Sequence, residues 1–173
     1  MMEADGEVSG RKENNPLPLK EDSWIMRVNM RISTKGRYAL RLMLDLGTNC
    51  SGDPIRLKDV ARRQGISEKY LEQIISVLNK AGFVRSIRGP QGGYVLSRRP
   101  EEYTVGMILR LTEGSLAPVE CAEKESGVCE REDDCVTLIL WKKLNDAING
   151  VVDHVTLADL LEWQAAKAND YVI

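Results

Sequence analysis

The chain lacks any apolar run long enough to cross a membrane; the longest, around 138–141, is a handful of residues. It also lacks the apolar core of a signal peptide near its start. Its four cysteines, Cys50, Cys121, Cys129 and Cys135, include no C-x-x-C pair. A ribbon-type zinc site and a thioredoxin-like motif are therefore not indicated. There is one histidine, His154, and no cysteine has an evident base or a resolving partner at short spacing. That disfavours a cysteine-dependent enzyme. No internal repeat is visible. These absences lead to an expectation of a cytoplasmic protein that is not an enzyme. Its thiols are expected to be free or bound to metal rather than paired in disulfides.

What is present is a strong segregation of charge. The net charge of −2 hides two opposed halves. Residues 30–99 carry fourteen Lys/Arg against five Asp/Glu, and residues 100–173 carry six against fifteen. The 173 residues, 43% hydrophobic and 29% charged, suffice for one ordinary domain with appendages.

The basic half contains the most patterned stretch of the chain. Two helical patterns, 57–64 and 67–81, are joined by a tight link containing Gly65. In the second, Leu71, Ile74, Ile75 and Leu78 fall at i, i+3, i+4 and i+7 and form one apolar stripe. Lys69, Glu72, Gln73, Ser76 and Lys80 fall on the other face. Ser67 is placed to cap this helix and Gly82 to end it. A hairpin pattern follows over 83–96, with apolar residues flanking a Gly-Pro-Gln-Gly-Gly turn and with Arg85 and Arg88 on the approach. A groove-sized helix followed by a hairpin with arginine near its tip is the layout of a winged helix-turn-helix. Its coincidence with the positive half points to double-stranded DNA as partner, since phosphate neutralisation needs that charge.

The expected fold is mainly α with a small β wing: a winged helix-turn-helix domain plus a long dimerisation helix. Residues 1–29 read as a disordered extension, with Met26 and Met30 as later possible starts. The DNA-binding domain spans 30–100. Its first helix is capped by Ser33 or Thr34, has Tyr38, Leu42, Met43 and Leu46 on its core face, and ends at Gly47. Residues 101–166 hold a short helix over 105–111, a cysteine loop over 115–135 and a long helix from about 134 to 152. A last helix reaches about 166, opened by Thr156 and Asp159 as a capping box. On the long helix Val136, Leu140, Leu144, Ala147 and Val151, joined by Ile139 and Ile148, make a stripe wider than so small a domain can cover. That stripe predicts a homodimer, which pairs two groove-reading helices one DNA turn apart. Residues 167–173 read as a flexible tail.

Cys121, Cys129 and Cys135 stand at C-x7-C-x5-C in a loop rich in Asp and Glu. Three thiols in one loop can close around iron, since thiolates are the usual cluster ligands. A thiol or zinc switch and unliganded thiols are the alternatives. Cys50 reads as a lone thiol in another loop, and His154 as a surface residue.

The runs Met30-Arg-Ile-Ser-Thr-Lys-Gly-Arg-Tyr-Ala39, Ser67-Glu-Lys-Tyr-Leu-Glu-Gln-Ile74, Ile87-Arg-Gly-Pro-Gln-Gly-Gly-Tyr94 and Thr156-Leu-Ala-Asp-Leu160 resemble the IscR/NsrR/CymR family of bacterial transcription regulators. The resemblance covers residue 30 to about 162. It implies base contacts from Glu72, Gln73 and Arg88, with Ser67 and Tyr70 approaching phosphates. It also implies an iron–sulfur cluster on Cys121, Cys129 and Cys135, 2Fe-2S in preference to 4Fe-4S. The fourth ligand stays open. Where one branch has a His this chain has Leu138, and where another has an Asp near the start it has Arg37. Glu130, Glu132, Asp133, Asp134, water or a small thiol are the candidates. The ending Asp170-Tyr-Val-Ile173 resembles the tails of serine acetyltransferases that enter cysteine synthase, and the tail of the CymR branch. The stretch Ala117-Pro-Val-Glu120 also looks like that branch. This implies a second reading: a cysteine-metabolism repressor acting with cysteine synthase through Tyr171, Val172 and Ile173, without a cluster.

Overall fold

The computed structural model describes residues 31–50, 52–123 and 132–169. The expected extension 1–29, Cys129 and the end of the tail, 170–173, lie outside them. The order is α1 (Thr34–Thr48), α2 (Leu57–Gln64), α3 (Glu68–Lys80), β1 (Val84–Ile87), β2 (Gly93–Leu96), α4 (Val105–Glu113), α5 (Val136–Val152) and α6 (Leu157–Asn169). Short 3-10 turns occupy Pro100–Glu102 and Glu120–Ala122. The mainly helical fold with a two-stranded wing is as expected.

Most boundaries follow local chemistry. Ser33 caps α1 by accepting from Gly36 N–H, Ser67 caps α3 by accepting from Tyr70 N–H, and Thr104 caps α4 by accepting from Met107 N–H. Thr156 and Asp159 form the expected reciprocal box: Thr156 N–H donates to Asp159 at 2.8 Å and Asp159 N–H to the Thr156 hydroxyl at 3.1 Å. Gly65 closes α2 at φ 63°, a left-handed conformation that makes the tight turn into α3.

Four boundaries differ from the sequence pattern. Helix α1 continues through Gly47 to Thr48. Gly47 does not end the helix but makes room for α6, because a Cβ there would sit 3.0 Å from a Leu161 methyl. Helix α4 runs two residues further, to Glu113, before Gly114 stops it. Helix α5 starts at Val136 with Cys135 as its N-cap, not at Asp134. Helix α6 continues through the alanine-rich residues 165–168 to Asn169, so residues 167–169, expected in the tail, are helical.

The core gathers Leu42, Met43 and Leu46 of α1, Val60 of α2, the whole apolar stripe of α3, Val84 of the wing, Tyr103, Ile108 of α4 and Leu157 of α6. Tyr103 is fully buried and ties the wing base to this core. Its hydroxyl donates to Phe83 C=O at 2.7 Å and accepts from Arg98 N–H at 2.8 Å. Burial pushes the Tyr103 phenol above its ordinary pKa. Helix α5 adds little to this core. Only its Leu138 and Asn145 are buried, while Val136, Ile139, Leu140 and Val151 are 51–80% exposed.

Candidate nucleic-acid interface and cysteine loop

The turn at Gly65 and the burial of Leu71, Ile74, Ile75 and Leu78 decide which face of α3 looks outward. That face presents Lys69, Glu72 and Gln73, all exposed. Tyr70 is half-buried, its ring set edge-on to Tyr38 of α1 with centroids 5.8 Å apart. Arg41 lies over the Tyr38 ring, 5.4 Å from its centroid, and donates to the Gln64 side chain at 3.0 Å and to the Gln64 carbonyl. The start of the outward helix is thus packed against α1 on its inner side.

The wing is antiparallel, pairing Val84 with Leu96, Arg85 with Val95, Ser86 with Tyr94 and Ile87 with Gly93. Arg88 is exposed and stands next to turn 89–92, in which Gly92 N–H donates to Gly89 C=O at 2.9 Å. Across the basic half every Lys and Arg from 31 to 99 except the partly covered Lys35 is exposed. Among the described residues Lys69, Arg85 and Arg88 make no ion pair, so their charge faces solvent unopposed. Glu72, Gln73 and Arg88 carry the groups that suit bases: Gln pairs bidentately with adenine, Glu accepts from cytosine, and Arg suits guanine or a narrow minor groove.

One arrangement beneath this surface was not read from the sequence. Asp45 of α1 is 4% exposed and accepts from Arg63 at 2.5 and 3.0 Å and from Gln64 at 2.9 Å. This ties the end of α2, and with it the turn into α3, to α1. The only local signal was a carboxylate inside an otherwise apolar face.

In the acidic half, Cys121 sits half-buried in the turn Glu120–Ala122, which buried Asn145 of α5 holds by donating to Ala122 C=O at 3.2 Å. Cys135, also half-buried, stands at the N-cap position of α5, with its sulfur 3.3 Å from the Thr137 hydroxyl. Among the described residues no three His, Cys, Asp or Glu side chains converge as a metal site. Cys129 and Glu130 lie outside those residues. Of the other candidate fourth ligands, Glu132 is bridged by Lys142 at 3.1 Å, and Asp133 and Asp134 are exposed. Leu138 is 5% exposed and packs inward. Exposed Arg37 donates to the Thr34 hydroxyl at 3.1 Å. His154 is exposed, its Nδ1 2.8 Å from Gly150 C=O, and Cys50 is exposed in its own loop. Tyr171, Val172 and Ile173 lie outside the described residues. No helix among those described is long and apolar enough to cross a membrane.

A capped helix with an outward polar face, a hairpin with arginine at its tip and an unopposed positive surface define a winged helix-turn-helix DNA-binding regulator. The chain belongs to the Rrf2 family, described as an iron-dependent transcriptional regulator, which matches residues 32–163. It is 42% identical over 135 residues to the transcriptional regulator IscR of Serratia proteamaculans (strain 568), covering 78% of this chain and 81% of that one. With IscR of Escherichia coli strain K12 the identity is 41%, over 78% and 82%. Among solved structures it is similar to CymR, the global cysteine regulator of B. subtilis, with a TM-score of 0.64 and 42% identity over 77% of this chain and 97% of that one. T. potens IscR gives a TM-score of 0.63 and 45% identity over 76% and 86%. These relatives are transcription regulators and not enzymes.

Proposed function

We propose that this regulator acts as a homodimer that reads a specific DNA sequence and senses iron–sulfur, redox or cysteine status through Cys121, Cys129 and Cys135. The observation that carries this reading is the uncovered apolar face of α5, which begins at Val136, directly after Cys135. A second copy of the same face would cover it, and the sensing loop would then adjoin the seam that spaces the two α3 helices. Glu72, Gln73 and Arg88 read bases, while Ser67, Lys69 and Tyr70 meet phosphates.

The donor set suits a 2Fe-2S cluster: three thiols, with the fourth place left to a carboxylate, water or a small thiol. Cys135 adds the positive end of a 17-residue helix to an anionic sulfur. Such a cluster would supply a redox- and iron-dependent tie among the three sulfurs. The surrounding carboxylates oppose gathering three thiolates without a cation. Occupancy can switch the protein only by favouring one arrangement of the recognition helices over another. The family description and the IscR relatives support this reading. The test is an absorption spectrum of anaerobically purified protein, then operator binding with and without the cofactor, alongside Cys129→Ser. A colourless, iron-free protein after reconstitution refutes the cluster.

The similarity to the cysteine regulator of B. subtilis favours one further reading. In it Tyr171, Val172 and Ile173 enter cysteine synthase, the terminal carboxylate being held by backbone N–H groups. Calorimetry against that enzyme, with and without Ile173 and with O-acetylserine as competitor, tests it. Equal binding by both forms refutes it.

A further inference from the structure

Helix α2 breaks a local rule at its first position. An N-cap is ordinarily Ser, Thr, Asp or Asn, whose side chain takes a free N–H. Here it is Arg56, which makes no side-chain cap. Its backbone carbonyl still opens the helix, accepting from Asp59 N–H at 3.0 Å and Val60 N–H at 3.3 Å. Its side chain goes elsewhere: Nη2 donates to Pro90 C=O at 2.9 Å and to the Gln91 side-chain oxygen at 3.0 Å. Both acceptors belong to turn 89–92, directly after Arg88.

An isolated two-stranded hairpin is marginal in water, so its tip needs an anchor. Two anchors are present. Ile55 and Tyr94 exchange backbone hydrogen bonds of 3.0 and 2.8 Å, so that Ile55 extends the edge of β2. Gly93 permits this close approach, since a Cβ there would fall 2.5 Å from Ile55 C=O. The second anchor, Arg56, grips the turn itself, 34 residues away in the chain. One residue thus starts the first helix of the helix-turn-helix and holds the tip of the wing.

We propose that Arg56 is a positioning residue for the wing, fixing turn 89–92 against the start of α2 and so setting where Arg88 meets DNA relative to the bases read by α3. This rests on the reading that the wing contacts DNA through Arg88. A competing role is direct phosphate contact by the exposed Arg56 guanidinium, and the two roles separate cleanly. A positioning residue acts through Arg88, so its effect disappears once Arg88 is gone. Any change it makes in the salt dependence of binding also runs through Arg88, and so is likewise absent once Arg88 is gone. A phosphate contact adds to the Arg88 effect, and its loss lowers the salt slope by about 0.9.

The experiment measures operator affinity of the full-length protein over a salt series for Arg56→Ala, Gln91→Ala, Arg88→Ala and the Arg56→Ala/Arg88→Ala double variant. Thermal melting serves as the folding control. Expected are a loss of about tenfold for Arg56→Ala, from two hydrogen bonds of ordinary net strength, and a smaller loss for Gln91→Ala. The double variant binds no worse than Arg88→Ala and shows the same salt slope as Arg88→Ala. Additive losses, with a shallower salt slope in the double variant than in Arg88→Ala, or wild-type affinity in Arg56→Ala, overturn the proposal while leaving the wing reading intact. Wild-type affinity in Arg88→Ala overturns the wing reading and this proposal with it.

Discussion

Replacing Asp45 by Ala tests how the helix-turn-helix is held to the rest of the domain. The Asp45 side chain is 2% exposed and the Arg63 side chain 35%. Both carboxylate oxygens are engaged, by Arg63 twice, by Gln64, and by Asn49 at 3.4 Å. Breaking a buried ion pair costs about 3–5 kcal/mol, largely because a charge is stranded. Here the freed guanidinium can turn to water, so Asp45→Ala should lie near the lower end, about 3 kcal/mol. Asp45→Asn keeps the shape but turns one acceptor into a donor against donors, and should cost about 2 kcal/mol. The reverse change, Arg63→Ala, strands a buried carboxylate with only Gln64 and Asn49 as donors, and should cost more than Asp45→Ala, about 4 kcal/mol. Urea unfolding followed by far-ultraviolet circular dichroism measures all three as shifts in midpoint at constant slope. Losses under about 0.5 kcal/mol for both Asp45 variants, or a smaller loss for Arg63→Ala than for Asp45→Ala, would refute the reasoning.

Further outcomes follow from the same structure. Leu140→Glu with Leu144→Glu places charge in the proposed seam, so sedimentation should report monomer at micromolar concentration with a steep fall in operator affinity; a wild-type protein that is already monomeric counts against the seam. Gly93→Ala drives a Cβ into the Ile55 backbone and should cost about 1–3 kcal/mol, freeing the wing while α3 keeps its protection from amide exchange. The Arg110 guanidinium, 2.5 Å from Asp153, holds the Asp153 carboxyl below the usual aspartate range. This ion pair therefore stabilises α4 against α5 above about pH 4 and is lost as pH falls through the lowered folded value. The pair is partly exposed, so the energy is small, but carboxyl NMR should show a depressed midpoint for Asp153 that rises in Arg110→Met. An unchanged midpoint in that variant would contradict the pairing.

The amino-acid sequence by itself determined the helix-turn-helix, the wing and the segregation of charge, because each is written in short-range rules. Ser67, Gly65 and Gly82 mark ends through capping and left-handed turns. The stripe from Leu71 to Leu78 marks a buried face by its period. The Gly-Pro-Gln-Gly-Gly turn at 89–93, with apolar residues on both sides, marks a hairpin. The stripe on α5 was legible in the same way, and its Val136, Ile139, Leu140 and Val151 are exposed. What only the tertiary structure decided depends on residues distant in the chain. Gly47 has the identity of a helix terminator, yet it lies inside α1, where a Cβ would sit 3.0 Å from a Leu161 methyl of α6. Leu138 turns inward while Ile139 and Leu140 beside it stay exposed, and the helical period alone does not rank those neighbours. Asp45 meets Arg63 across 18 residues, and Arg56 meets the wing tip across 34. A long polar side chain carries no periodic signature, and its partner is chosen by which backbone groups the packed core leaves within its reach.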